Sequence, residues 1–365
     1  MKLGIIGLAR AGKTTVFNSV TRGSAQVGAY SAATQPNIGV VNVPDERVDR
    51  LAALYKPKKV TYATIEYVDF PAAGENFGKG QGPAGKFIND LGRMDALIHV
   101  VRAFEDETVP HPEVSIDPHR DIMTMDLELA FADLAVMEKR LARLDTEIRS
   151  MKAGEREAPQ RVKDLLTRMK GELEAEVPIR AQNVAEDEWR LLEGSQFLTA
   201  APFLLVVNIG EADLERREAI EADYRARYEG KGRGVAVFCG KFEMDLNELS
   251  EADAEEFRTS AGVTESGMAG AIRVSYGLLG LISFLTAGPD ECRAWTVTAG
   301  ATAPVAAGKI HSDLQRGFIR AEVIRFEDLV AAGSEAEAKK RGTLRTEGKQ
   351  YIVQDGDVVN ILFNV

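Results

Sequence analysis

The chain has 365 residues, 45% of them hydrophobic, enough for two or three compact units that each bury a core. Its 56 acidic against 45 basic residues give a formal charge of -11, which argues against a surface that grips nucleic acid, specific DNA included, through phosphate neutralisation alone and leaves room only for a local basic face. Cys239 and Cys292 are too few for a disulfide framework or a zinc cluster, and no apolar run suits a signal peptide or a membrane span, so a reducing, cytoplasmic setting is expected.

In chain order, short apolar runs at 3–6, 40–43, 64–68, 96–101, 203–207 and 235–238 read as buried strands. Helical or loop-like stretches separate them, the alternation of a parallel α/β sheet with crossover helices. From Leu127 the apolar residues fall three and four apart through Ala130, Leu134, Met137, Leu141, Leu144, Ile148 and Met151, the spacing of a coiled-coil seam. Lys152 to Glu155 break it, and Val162, Leu165, Met169 and Leu173 start a second helix, predicting an antiparallel hairpin inserted in the sheet domain. After Thr286, runs at 294–297, 317–323, 351–353 and 358–363 with a helix near 326–332 predict a small α+β module. The expected division is 1–125 with 199–281, the arm 126–198, and the module 282–365.

The first strand runs into Gly7, Leu8, Ala9, Arg10, Ala11, Gly12, Lys13 and Thr14, then a helix from Thr15. This is G-x-x-x-x-G-K-[ST] in its strand-to-helix setting, where glycines allow a tight wrap and backbone N–H groups converge on phosphate oxygens. Lys13 is expected to neutralise the terminal phosphates and Thr14 to ligate Mg²⁺, with Asp69 at the end of 64–68 as the second carboxylate on the metal side. A glycine-rich stretch follows Asp69 through Gly74, Gly78, Gly80, Gly82 and Gly85.

Base selection is expected after the fifth apolar run, at Asn208, Ile209, Gly210, Glu211. Small GTPases carry N-K-x-D there; Glu211 displaces the guanine anchor, while Asn208 can pair bidentately with adenine, so ATP is the expected substrate. Cys239, Gly240 and Lys241 occupy the place of the last base-contacting loop.

Together these residues resemble the YchF-type, Obg-like ATPases over almost the whole chain. The resemblance extends to Thr34 with Pro36 to Val41, Lys79 to Gly82, Val100 to Asp106, Leu278 to Ile282, Thr286 to Gly288, Arg293 to Trp295 and Gly317 to Val323. It implies a P-loop nucleotide domain with an inserted helical arm and a C-terminal ubiquitin-like TGS domain, and a slow Mg²⁺-dependent ATPase acting with ribosomes or ribosomal RNA. It also implies Thr34 as a third Mg²⁺ residue, Ala73 in place of a water-orienting glutamine, and His111 as a catalytic histidine. A satisfied surface histidine between Pro110 and Pro112 is the other reading of His111.

Three departures cluster near the γ-phosphate. Ala9, Arg10 and Ala11 replace the family's proline, asparagine and valine; in potassium-dependent relatives that asparagine helps hold the cation, so potassium is not expected here. Arg10 is either a built-in arginine finger or turned to solvent or an acidic neighbour. Ala72 stands where D-x-x-G has glycine, and the 30–37 segment is one residue short. A GTPase, or a ribosome-binding module with little turnover, are the competing functions.

Overall fold

A computed structural model describes residues 1–23, 36–71, 85–112, 115–263 and 266–364. Thr34, Ala72 and Ala73, and most of the glycine-rich stretch, lie outside the described residues.

Among the described residues twelve strands follow in chain order: β1 Lys2–Ile6, β2 Asn37–Asn42, β3 Lys59–Thr61, β4 Thr64–Asp69, β5 Ala96–Ala103, β6 Phe203–Ile209, β7 Arg233–Phe238, β8 Leu281–Thr286, β9 Glu291–Thr298, β10 Phe318–Arg325, β11 Arg345–Glu347 and β12 Asp357–Phe363. The first sheet has the order β2-β4-β1-β5-β6-β7, and β1 pairs in parallel with both β4 and β5, as β5 does with β6 and β6 with β7. Strands covered on both faces must be apolar throughout, and β6 is buried at every position. That is why these segments read as unbroken hydrophobic runs.

The chain passes from β1 to β4 on one side of β1 and then to β5 on the other, so the order reverses between β1 and β5. In an open parallel sheet that crevice, outside the carboxyl ends of the strands, is where ligands bind. The carboxyl ends deliver Gly7, Asp69, the segment from Phe104, the β6 end at Asn208, and Cys239 to the same edge.

The hairpin is present with a longer first helix than its apolar spacing suggested. Helix Pro118–Ser150 opens at an Asp117 cap that accepts the Arg120 N–H, with proline in its first turn. Its first four turns pack Met125, Leu129 and Ala132 against the sheet, and Leu127 is 42% exposed rather than part of the seam. Farther out, Met137 and Leu144 are buried with Leu165, Leu166, Met169 and Leu173 of the return helix Glu157–Glu174.

Two compact units emerge: residues 1–39 with 66–278, and 40–65 with 279–365. These differ from the division expected of the sequence. The arm belongs to the first unit, and 40–65, assigned above to the nucleotide domain, goes with the C-terminal module. There β3 pairs in parallel with β9 at the edge of a mixed sheet ordered β11-β10-β12-β8-β9-β3. Too short and too polar to register as a strand, Lys59–Thr61 gave no periodic signal. The expected strand at 351–353 is reduced to one bridge, Thr302 with Ile352.

Candidate functional site

The loop between β1 and helix Lys13–Thr21 takes the shape its glycines permit. Gly7 has φ +154°, and a Cβ there would lie 2.4 Å from the Val100 carbonyl oxygen. Gly12, at φ +87°, would meet the Asn208 side-chain nitrogen at 2.3 Å. Side chains at either position would drive the loop off the sheet. No side chain caps the helix at Gly12, which leaves its first N–H groups to an anion. Ala9, Ala11 and Thr15 line the same wrap, with Ala11 buried.

Lys13 is 8% exposed and its ammonium lies over the loop, donating to the Gly7 and Leu8 carbonyls at 3.0 and 2.9 Å. Burial lowers its pKa to about 8, against the opposing attraction of Asp69. The Thr14 hydroxyl donates to Asp69 Oδ2 at 3.0 Å, and the Asn37 amide reaches the same oxygen at 3.3 Å. Burial raises the Asp69 pKa, while Thr14, Asn37 and Lys13 oppose the rise. Its other oxygen, Oδ1, is buried with no partner among the described residues. A buried carboxylate oxygen without a donor is costly, and beside a hydroxyl it suits a hard cation. No group of three or more His, Cys, Asp or Glu gathers as a metal cage among the described residues. A cation here would share its coordination with phosphate oxygens.

Asn208 is held by two loops. Its Oδ1 accepts the Gly240 N–H at 2.9 Å and its Nδ2 donates to the Ala11 carbonyl at 3.2 Å. Bidentate pairing with adenine would draw on the second lone pair of this oxygen and the second hydrogen of this nitrogen, in an orientation the two loops already set. One Nδ2 hydrogen remains, enough for a purine N7 that adenine and guanine share. Glu211 opens a short helix after β6 and pairs with Lys241 at 2.9 Å, both side chains at least half exposed. Cys239 is buried, and burial raises its thiol pKa, which keeps it protonated and unreactive.

The segment leaving β5 is held carbonyl by carbonyl. Arg102, fully buried, donates to the carbonyls of Phe104, Asp106 and Val109 and stacks on the Phe104 ring. Arg10 Nη1 donates to the next carbonyl, Pro110, at 2.7 Å. Among the described residues the guanidinium therefore meets no acidic neighbour, and it does not face solvent alone. His111 follows, its Nε2 2.9 Å from Asp121 Oδ2 with both side chains 3% exposed, so the surface-histidine reading is corrected. Arg120 holds the other Asp121 oxygen through Nε and Nη2.

Sequence reasoning assigned no role to Arg102, Asn37 or Asp121. An arginine inside an otherwise apolar strand was a usable signal, since a buried guanidinium must find acceptors. Asp121 had none, because its partner lies across a loop.

A parallel sheet with a phosphate-binding wrap at its switch point, a lysine over the wrap and a Thr–Asp pair beside it defines a P-loop nucleoside-triphosphate-binding protein. Residues 2–143 match a family model described as 50S ribosome-binding GTPase, and residues 281–364 match the YchF-GTPase_C model. The ribosome-binding ATPase YchF of Bacillus subtilis is 40% identical over 99% of both chains, and that of Escherichia coli O157:H7 is 37% identical over 100% of this chain and 99% of its own. The structure of the Schizosaccharomyces pombe YchF GTPase superposes with TM-score 0.84 at 30% identity, covering 99% of this chain and 97% of the other. The chain belongs to the YchF family. No helix among the described residues is long and apolar enough to cross a membrane.

Proposed function

We propose that this protein binds ATP with Mg²⁺ and hydrolyses it slowly to ADP and phosphate, using the cycle to control docking on the ribosome. One observation carries the nucleotide part: the Lys13 ammonium, buried over the wrap, lies beside the Thr14–Asp69 pair whose Oδ1 has no donor. Lys13 would exchange its two carbonyl acceptors for β- and γ-phosphate oxygens, while the N-terminal N–H groups of its helix bind the same anion. Thr14 and Asp69 fit Mg²⁺, with Thr34 as a further candidate; bound, the ion withdraws charge from the phosphates. Ala73, where related switch proteins carry a water-orienting glutamine, supports a low intrinsic rate. Ribosome docking rests on the names of the relatives. With Arg10 in place of a cation-holding asparagine, the rate should be the same in potassium and in sodium.

GTP is the second reading, and the Glu211–Lys241 pair admits it. The pair offers an acceptor beside a donor, which can meet adenine's N6–H and N1 or guanine's N1–H and O6. Phosphate release from ATP and GTP, with and without ribosomes and in either salt, tests the proposal. Faster release from ATP, stimulated by ribosomes, supports it. Preferential GTP turnover overturns the base choice, and binding without turnover in every condition leaves a nucleotide-dependent docking module.

A further inference from the structure

Three consecutive residues after β5 are each anchored to a different element. Arg102 of β5 takes the Val109 carbonyl at 2.7 Å, Arg10 of the phosphate wrap takes the Pro110 carbonyl at 2.7 Å, and Asp121 of the arm helix takes the His111 ring at 2.9 Å. Arg102 is buried and bonded to the same segment twice more, so its anchor is fixed. A buried carboxylate on an imidazole nitrogen fixes the ring's orientation, the arrangement that serves a general base. Arg10 alone among the three belongs to the element that binds phosphate. It sits at φ +64°, a left-handed backbone that a non-glycine residue rarely adopts. That conformation is part of the wrap.

We propose that Arg10 is a positioning residue, which references the backbone bearing His111 to the phosphate-binding loop through the Pro110 carbonyl. The inference rests on the ATPase reading for its kinetic consequence, though not for the contact. Arg10 acts through His111, whereas an arginine finger acts on the phosphates. The two roles predict different couplings. A positioning contact is lost on Arg10→Ala with little change in nucleotide affinity, and its loss is silent once His111 is gone.

The test is a cycle of wild type, Arg10→Ala, His111→Ala and the double variant, with Arg10→Lys as the conservative form. Arg10→Ala should lower kcat about ten-fold with KM for ATP within about two-fold, the size expected of one charge-assisted hydrogen bond. Arg10→Lys should recover part of that loss, and the double variant should match His111→Ala. Effects that multiply in the double variant, or a KM that rises while kcat holds, would assign the guanidinium to the phosphates and overturn the proposal. Amide exchange gives a readout independent of turnover. The N–H groups of Glu107 to Val109 and His111 should exchange faster in Arg10→Ala than in wild type, and unchanged exchange would refute the contact. If wild type hydrolyses no nucleotide, the ATPase reading fails and the exchange comparison still decides the role of Arg10.

Discussion

Asn208 holds the Gly240 N–H at 2.9 Å with its side-chain oxygen, and so ties the end of β6 to the turn after β7, while its nitrogen ties both to the phosphate wrap at Ala11. The residue is 3% exposed. It registers three loops, with one hydrogen and one oxygen lone pair left over.

Asn208→Ala should therefore weaken ATP and GTP alike. The replacement leaves a buried N–H and a buried carbonyl without partners, a loss on the order of 2 kcal/mol in stability. Competition titrations and thermal unfolding measure both effects. A change in the ATP to GTP ratio greater than about three-fold, roughly 0.65 kcal/mol, would return Asn208 to base reading.

Lys13→Ala should abolish tight nucleotide binding. Removing the charge that faces the terminal phosphates is expected to cost at least about 3 kcal/mol, or roughly 100-fold in Kd. Stability should hold or rise, because the fold keeps this cation where burial depresses its pKa to about 8. Equilibrium dialysis beside a melting curve separates the two. Retained affinity would remove the basis of the functional reading.

Much of the nucleotide domain was legible because parallel strands buried on both faces leave unbroken apolar runs, and because the wrap needs glycine where side chains would strike Val100 or Asn208. The arm was legible through its seam, but not its true start: Asp117 followed by Pro118 is an ordinary helix opening that the apolar periodicity beginning at Leu127 overshadowed. The place of 40–65 was hidden because Lys59–Thr61 acquires strand character only from pairing with Glu291, Cys292 and Arg293, far away in sequence. At the site, residue types were readable and their commitments were not. Asn208, Arg10 and His111 each spend hydrogen-bonding capacity on a partner at least ten residues away, which no local pattern reveals.

Base preference should turn on Lys241. Its ammonium, 2.9 Å from Glu211, screens the carboxylate and offers guanine O6 a donor. Without it, guanine's O6 loses its donor and lies beside an unscreened carboxylate, while adenine's amino group still donates to that carboxylate. Lys241→Ala is expected to weaken GTP about ten-fold and ATP by less than about two-fold, in keeping with the size of a single charged hydrogen bond. Competition of labelled ATP by cold GTP reads the ratio, and an unchanged or reversed ratio would place the base elsewhere.

Asp133 at the root of the arm should give the first unit a measurable pH dependence. Its oxygens accept the Leu198 and Thr199 N–H groups and the Thr199 hydroxyl, at 2.7 to 2.8 Å. Burial outweighs those bonds and lifts its pKa from 3.8 to about 6. Because the folded value lies above the unfolded one, the folded chain holds the extra proton between about pH 4 and pH 6. The advantage of the neutral form is lost as pH rises through that window, by on the order of 3 kcal/mol. Asp133→Asn cannot titrate and presents one acceptor oxygen where two are used, so it should be less stable than wild type at pH 4. The gap should narrow by pH 7, read as the difference in urea midpoints between the two proteins at each pH. A gap that stays constant or widens would mean that Asp133 keeps an ordinary carboxylate pKa, its three hydrogen bonds having offset burial in full.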